Sequence, residues 1–403
     1  MQSKKIKIKN AHIITPHRII RNGQLLIEEG RIVDFGETEL EVTDARIIDA
    51  KGLYLAPGFV DIHVHGGGGC DFMDNTVEAY QTIAKTHARF GTTAMVPTTL
   101  TSGKGELLKT LAIFDQVKLQ QPMGAKFIGM HIEGPYFSMN QRGAQDPRYI
   151  RDPDPVEYTE ILDSSSAIIR WSAAPERKGA IAFGSLLRRR GILPSIAHTD
   201  AVYDDVIKAY EEGYTLATHL YSAMSGVTRK QAFRFGGVVE SAFLLTGMDV
   251  EIIADGKHLP PELLKLVVKI KGIERTALIT DAMRGAAMPE GKSILGNLHN
   301  GMEVLIEDGV AKLPDKSGFA GSVATCDLLV RNMMRLADVS LQDAVHMMTL
   351  TPARIIGIDG QTGSIAVGKD ADLVLFDEEI AVKKTFVSGN VVYDGQVNKL
   401  IDL

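Results

Sequence analysis

Histidines and acidic residues follow several short apolar runs of the sequence, at positions where they could together bind a metal ion. The first run, GFVDIHVHG, ends in two histidines, and the third, KFIGMHIEGPY, carries a glutamate. Imidazole nitrogens and carboxylate oxygens are the usual protein ligands of zinc and of divalent iron, cobalt or manganese. The candidates at the ends of the runs, in chain order, are His63, His65, Glu133, His198, His219 and Asp281.

The spacing of the first two candidates favours one shared ion. Residues i and i+2 of a strand point to the same side, so His63 and His65 can bind together. Glu133 can bridge two ions, and Asp281 can either coordinate or act as general base and then general acid. A metal in such a site lowers the pKa of bound water and polarises a carbonyl group, which is the chemistry of a hydrolase. Each candidate alone could be structural, but the set together predicts a metal centre.

Eight apolar runs alternate with segments of helical periodicity, which predicts eight parallel strands with helices between them. Helices are expected near residues 76–90, 103–119, 201–212 and 260–271. This alternation is typical of an α/β protein with a (β/α)8 TIM barrel, whose chemistry lies at the C-terminal ends of the strands. Residues 284–322 interrupt the pattern and are expected to form a loop over one face of the barrel.

Both ends of the chain have the texture of short strands joined by turns. We therefore expect a small β-sandwich domain built from residues 1–55 and 359–403, and a catalytic barrel over residues 56–358. Chain termini often lie close together, which makes a domain assembled from both ends plausible.

Composition excludes several classes of function. The 403 residues carry a formal net charge of −6, which argues against binding to nucleic acids or anionic membranes. No run approaches the roughly 18 apolar residues that a membrane span requires. The two cysteines do not suggest a disulfide framework. We expect a cytoplasmic protein.

Four consecutive glycines, Gly66–Gly69, follow the first pair of histidines. They could form a turn, or they could allow backbone amides to approach a ligand where any Cβ would clash. The sequence leaves both interpretations open.

The residues resemble the amidohydrolase superfamily: an HxH on strand one, single histidines on strands five and six, an Asp on strand eight, and a tail reading GSIAVGKDADLVLFD. Members that bridge two metals with a carbamylated lysine carry it on strand four, where this chain has none. Glu133 on strand three instead resembles the N-acetylglucosamine-6-phosphate deacetylase family. The motifs shared with that family are PGFVDIHVHG, HIEGPYF, GAQDPR, HTDA, ATHLYSAM, ADGKH and ITDAM.

The resemblance implies roles for the candidate ligands. Glu133, His198 and His219 would hold the main metal ion. His63 and His65 would hold a second one, so that one or two divalent ions (Zn, Fe, Co or Mn) bind per subunit. Asp281, near these ions, would be the catalytic acid and base.

The resemblance also implies a phosphorylated amino sugar as substrate and a homodimer. A basic residue of one subunit would reach the phosphate in the neighbouring site, with Arg229, Lys230 and Arg234 as candidates, although these could also be a solvated basic loop. The remaining residues expected to contact substrate are Ala144 and Gln145 on the acetamide side, Ser222, Ala223 and His258 near the sugar phosphate, and Gly321 and Ser322 closing over the sugar.

The implied reaction is hydrolysis of the acetamide of N-acetylglucosamine 6-phosphate by metal-activated water, in amino-sugar catabolism. One alternative is an amidohydrolase acting on another N-acetylhexosamine phosphate, such as N-acetylgalactosamine 6-phosphate, or on another N-acyl or cyclic amide. The other is a non-catalytic protein on the same fold, which would be expected to have lost ligands that this sequence retains.

Overall fold

The computed structural model describes residues 5–120, 124–395 and 399–400. The outermost residues of the predicted small domain, 1–4, 396–398 and 401–403, lie outside this part of the chain. Among the described helices, none combines the length and the apolar character that a membrane crossing requires.

Eight parallel strands appear in the order in which the sequence predicts them. Each overlaps one of the eight apolar runs, and the first, Phe59–Val64, is buried at every position, as a strand covered on both faces should be. The eight strands are Phe59–Val64, Thr92–Pro97, Met130–Glu133, Ile168–Ala173, Leu193–Ile196, Leu216–Ala217, Asp249–Ile252 and Thr276–Leu278.

The strands pair in chain order. The first pairs with the second, and the third to the eighth form one continuous parallel group. Backbone hydrogen bonds join the two groups, from Thr99 N to the His131 carbonyl at 3.0 Å and from His65 N to the Ala282 carbonyl at 2.9 Å. The arrangement is that of a TIM-barrel-type domain.

A helix follows each strand, and the four helices predicted from periodicity lie within one or two residues of the expected bounds. Local signals fix their starts: the Thr76 side chain, for example, accepts a hydrogen bond from Ala79 N at the beginning of the first helix. The eight are Val77–Ala88, Lys104–Lys118, Pro155–Ser164, Ala180–Arg189, Tyr203–Glu211, Val238–Leu244, Pro261–Lys271 and Cys326–Ala337, and Leu341–Met348 and Leu350–Ile355 complete the α-helices described.

Both ends of the chain form one nine-stranded sheet with its own apolar core. The strand Tyr54–Pro57 pairs with Leu373–Phe376 in this sheet and runs through the boundary expected at residue 55. The other strands are Lys5–Ile14, Ile19–Glu28, Arg31–Gly36, Arg46–Asp49, Val382–Val387, Asn390–Asp394 and Lys399–Leu400.

Two insertions leave the barrel at its C-terminal face. Residues 284–322 contain a three-stranded antiparallel sheet of Gly291–Leu295, Met302–Glu307 and Val310–Lys312. A second, which carries the three basic residues proposed from the sequence as phosphate contacts, is a hairpin of Thr228–Lys230 and Phe233–Phe235. Short pieces complete the description: strands Gly66–Gly67, Cys70–Asp71 and Lys126–Phe127, and 3-10 helices Phe72–Asp74, Met139–Gln141 and Ile273–Arg275.

Candidate metal centre and substrate cavity

All six predicted ligands converge at the C-terminal end of the strands. Four histidine Nε2 atoms surround Glu133, which is 2% exposed, and the Asp281 carboxylate lies beside two of these histidines. The Nε2 atoms of His63, His198 and His219 lie 3.5, 3.4 and 3.2 Å from Glu133 Oε1, and that of His65 lies 3.5 Å from Oε2. Asp281 Oδ1 lies 3.1 Å from His65 Nε2 and 3.4 Å from His63 Nε2.

These distances fit two overlapping metal sites that share Glu133. One set is His63, His65 and Glu133, and the other is Glu133, His198 and His219. Ligand atoms held about 2.1 Å from one ion lie roughly 3.0–3.4 Å from each other, close to the separations observed here. We call His63 and His65 the first-strand pair, and His198 and His219 the strand-end pair.

The orientation of three histidines also fits metal binding. The Nδ1 atoms of His65, His198 and His219 face the carbonyl oxygens of Thr98, Gln141 and Ser222, at 3.2, 2.8 and 3.2 Å. A carbonyl can only accept, so Nδ1 carries a proton, and Nε2 is the nitrogen that faces Glu133 and would bind an ion. Metal-binding histidines are commonly fixed in this way by a hydrogen bond on the far side of the ring.

The backbone supporting the strand-end ligands is unusual. His198, His219 and Asp281 have φ angles of +47°, +33° and +48°, in the left-handed region that side chains with a Cβ rarely occupy. Strain of this kind concentrates at functional sites, where the surrounding fold over-determines the conformation. The sixth strand, Leu216–Ala217, ends early because the chain turns at His219.

Both carboxyl groups of the centre are held ionised. Burial raises the pKa of Glu133, but the charge of His63 and hydrogen bonds from His198 and His219 outweigh it and lower that pKa well below its usual value. The pKa of Asp281 is likewise raised by burial but lowered overall by its histidine neighbours. An ionised carboxylate is what a metal ligand or a general base requires.

A cavity of about 420 Å³ opens onto this centre, a size common for small-molecule sites. His65, Glu133, His198, His219 and Asp281 form its floor. The walls include most of the predicted substrate contacts, namely Ala144, Gln145, Ser222, Ala223, His258 and Gly321. The insertion of residues 284–322 contributes Leu295, Gly318, Phe319 and Gly321, so it covers part of the cavity.

Three predicted contacts lie elsewhere. The Ser322 hydroxyl donates to the Thr280 carbonyl and accepts from Ala324 N, so it braces the backbone beside the wall. Arg229 and Arg234, with Lys230, are exposed on the hairpin of residues 228–235 and are absent from the cavity lining of the described chain.

The glycine run serves packing. A Cβ on Gly67 would lie 2.8 Å from His87 Nε2, and one on Gly68 would lie 2.3 Å from Thr86 Oγ1. None of the four glycines is among the described residues that line the cavity. Of the two interpretations that the sequence left open, the structure favours the turn.

Several residues around the site were missed by sequence reasoning. Asp200 accepts hydrogen bonds from Ser138, Asn140 and Gln141, and so fastens the loop whose Gln141 carbonyl orients His198. The HTDA motif contained Asp200, but its spacing alone did not indicate a role. Further cavity residues that the sequence did not single out individually are Leu100, Asn140, Gln141, Gly143, Tyr221, Leu295, Gly318 and Phe319.

A second group that was missed lies inside the barrel below His63. Arg170 and Glu251 form an ion pair with both side chains fully buried. Burial raises the pKa of Glu251, but Arg170 outweighs this effect and holds that pKa below its usual value. A charged residue within an apolar strand run was the only signal in the sequence.

Comparison with known proteins agrees with this geometry. The chain is 32% identical to the N-acetylgalactosamine-6-phosphate deacetylase of Escherichia coli O157:H7, over 93% of this chain and 98% of the relative. It is also 32% identical to the N-acetylglucosamine-6-phosphate deacetylase of Vibrio furnissii, over 96% of each.

Solved structures agree as well. A mutant N-acetyl-D-glucosamine-6-phosphate deacetylase of Mycobacterium smegmatis, in complex with N-acetyl-D-glucosamine-6-phosphate, superposes with a TM-score of 0.88 at 30% identity. The match covers 96% of this chain and 99% of that one. The sequence profile of the Amidohydrolase family matches residues 54–392. The chain belongs to the amidohydrolase family.

Proposed function

We propose that the protein is a metal-dependent deacetylase that hydrolyses N-acetyl-D-glucosamine 6-phosphate to D-glucosamine 6-phosphate and acetate, in amino-sugar metabolism. The observation that carries the proposal is the cluster of four histidine nitrogens around Glu133, with Asp281 beside two of them, at the floor of a sugar-sized cavity. Full-length relatives named as deacetylases of such sugars support it.

The donor set suits one or two divalent ions. Glu133, His198 and His219 would hold the main ion, and His63 and His65 a second, with Glu133 facing both pairs. When bound, a divalent ion lowers the pKa of water and polarises a carbonyl group. Histidine and carboxylate ligands leave zinc, iron, cobalt and manganese as candidates.

Asp281 performs the proton transfers. Its ionised carboxylate lies at the cavity floor, where it removes a proton from the attacking water and later delivers that proton to the departing amine nitrogen. Ala144 and Gln145 hold the acetamide side. Gln145 donates to Glu133 Oε2 at 2.7 Å and accepts from Thr101 N at 2.7 Å, so it has a fixed position beside the reacting group.

The sugar phosphate would lie at the opposite wall, near Ser222, Ala223 and His258, with Gly321 closing over the sugar and Ser322 bracing the backbone beside it. His258 Nδ1 lies 2.8 Å from Asp255 Oδ2, and its ring packs against Phe319. The ring is therefore held in one orientation at the cavity wall.

The phosphate contact would be completed by a second subunit of a homodimer. Arg229, Lys230 and Arg234 are exposed on a hairpin that also exposes Phe233 by 72%. A hairpin with basic and aromatic side chains suits insertion beside a neighbouring cavity. Mixing subunits that carry Asp281→Asn with subunits that carry Arg229→Ala/Arg234→Ala would then restore activity in hybrid dimers, because one of the two sites would have both Asp281 and the basic residues. A monomer in sedimentation experiments would contradict the dimer.

Finer points of the architecture belong to the same proposal. The eight strands close into a (β/α)8 barrel over residues 58–358, and the terminal sheet, which includes the strand Tyr54–Pro57, folds on itself as a β-sandwich built from residues 1–57 and 359–403. Since its substrate would be a charged sugar phosphate of metabolism, the protein would work in the cytoplasm.

The direct test is acetate release by protein purified without chelators. N-acetylglucosamine 6-phosphate should be hydrolysed faster than N-acetylgalactosamine 6-phosphate and far faster than unphosphorylated N-acetylglucosamine. Faster hydrolysis of the galactosamine compound would reassign the substrate. Protein without bound metal and without hydrolysis of any of the three would support the non-catalytic alternative.

A further inference from the structure

The four metal-facing histidines are not held alike. Three of them donate Nδ1–H to backbone carbonyls, as described above. His63 is the exception, because its Nδ1 is buried and has no hydrogen-bond partner among the described residues. When Nε2 binds a metal ion, Nδ1 carries the ring proton, and a buried donor without an acceptor is unfavourable. The Oε2 atom of Glu251 lies 3.7 Å away from it.

Glu251 is held rigidly by Arg170. One guanidinium nitrogen, Nη2, donates to Glu251 Oε2 at 2.9 Å, and the other contacts Oε1. The remaining donors are also used, by Ser195 Oγ at 3.0 Å, Thr218 Oγ1 at 2.8 Å and the Ile62 carbonyl at 3.2 Å. All five N–H groups of Arg170 thus have acceptors, and the fork fixes the carboxylate below His63.

We propose that Glu251, fixed by Arg170, is the positioning residue of His63: it accepts the Nδ1–H of this histidine when Nε2 binds a metal ion, and so controls whether the site of the first-strand pair fills. The inference rests on the proposed metal centre. A movement of less than 1 Å would turn the 3.7 Å separation into a hydrogen bond.

The negative charge of the Glu251 carboxylate is the reason why it would affect metal binding by His63. A carboxylate behind a histidine makes the imidazole a better metal ligand and fixes its tautomer. The other three histidines have neutral carbonyls in this place. His63 alone would have an anionic partner. That partner, Glu251, lies on the seventh barrel strand and is held by Arg170 on the fourth.

A purely structural role of the ion pair is the competing explanation. Removing one member of a buried pair leaves an uncompensated charge and destabilises a protein. Glu251→Gln alone would therefore not separate the two roles. Arg170→Met/Glu251→Gln removes both members of the ion pair, so no uncompensated charge stays buried. The double variant should therefore be more thermally stable than Glu251→Gln, although it still lacks the carboxylate behind His63.

The experiment measures the stoichiometry of Co²⁺ and Zn²⁺ at saturating metal, their dissociation constants by titration, and Tm. The wild type should bind two ions, and His63→Ala one. Glu251→Gln should weaken the ion that His63→Ala abolishes by about 10- to 100-fold. The double variant should regain Tm while this affinity stays low.

Asp249→Asn is the control, because Asp249 lies on the same strand but pairs with Arg354 at 2.7 Å. This variant should lower Tm and leave the affinities for both ions unchanged.

Three results would overturn the inference. They are a double variant that recovers affinity along with Tm, a Glu251→Gln protein with unchanged affinity for both ions, and a wild type that binds only one ion at saturation. Acetate release by the wild type is measured in the same preparations. Its absence would refute the proposed function, whereas its presence beside any of the three results would refute only the role of Glu251.

Discussion

The two histidine pairs of the candidate metal centre share Glu133 but are supported by different parts of the fold. The first-strand pair lies on and just after the strand Phe59–Val64, with the buried Arg170–Glu251 ion pair below it. The strand-end pair lies on left-handed residues and is oriented by loop carbonyls. One pair therefore depends on the barrel interior, and the other depends on how the loops are fastened.

Asp281 contacts the first-strand pair but serves the chemistry of the whole centre, so its removal should have the largest effect. We expect Asp281→Asn to lower kcat by about 10²- to 10⁴-fold, the usual contribution of general acid–base catalysis. Bound metal, measured by elemental analysis, should be retained. Turnover close to that of the wild type would exclude Asp281 as the proton-transfer group.

Removing one ligand from each pair tests the comparison directly. His219→Ala should lower kcat/KM by about 10²- to 10³-fold, since the main ion supplies several kcal/mol of transition-state stabilisation. His63→Ala should lower it less and leave one ion bound. Metal stoichiometry and acetate release on the same samples give the answer. Equal losses in the two variants would mean that the pairs are not functionally distinct.

The loop support of the strand-end pair can be loosened without touching a ligand. Asp200→Asn places an amide among three donors, from Ser138, Asn140 and Gln141, and should release the carbonyl that orients His198. We expect the affinity of the main ion to fall by about 10-fold. The exposed Asp204 provides the control Asp204→Asn, which should be silent. If Asp200→Asn affects only the ion of the first-strand pair, the assignment of supports is wrong.

Metal removal should abolish acetate release, whereas its effect on stability should be modest. An ion at about 100 times its dissociation constant stabilises by about 2.7 kcal/mol, equivalent to roughly 3 °C in Tm for a chain of this length. Chelator should lower the Tm of the wild type, from which it removes two ions, by about twice this amount. His63→Ala, which already lacks one ion, should lose less in a thermal melt with and without chelator.

The strands and the ligands were predictable because they obey local rules. Eight apolar runs gave eight strands, and polar residues at the ends of parallel strands had to meet at one face. The alternation of side chains placed His63 and His65 together. The four helix segments were found from periodicity for the same reason, since each signal lies within a dozen residues.

The supports could not be predicted because they join residues far apart in the chain. Glu251 meets Arg170 across 81 positions, and Asp200 meets Ser138 across 62. Neither pair has a spacing rule. The positions of Ser322 and of the basic hairpin were also beyond local signals, because side-chain direction depends on how the insertion and the hairpin pack.

The left-handed backbone at His198, His219 and Asp281 implies a trade-off between thermal stability and activity. Asparagine and glycine tolerate this conformation better than other residues, so either at these positions should relax the fold while removing a ligand or the acid–base group. Without bound metal, such an inactive variant would then have a higher Tm than the wild type. Selection for thermal robustness alone would be expected to erode these three positions first.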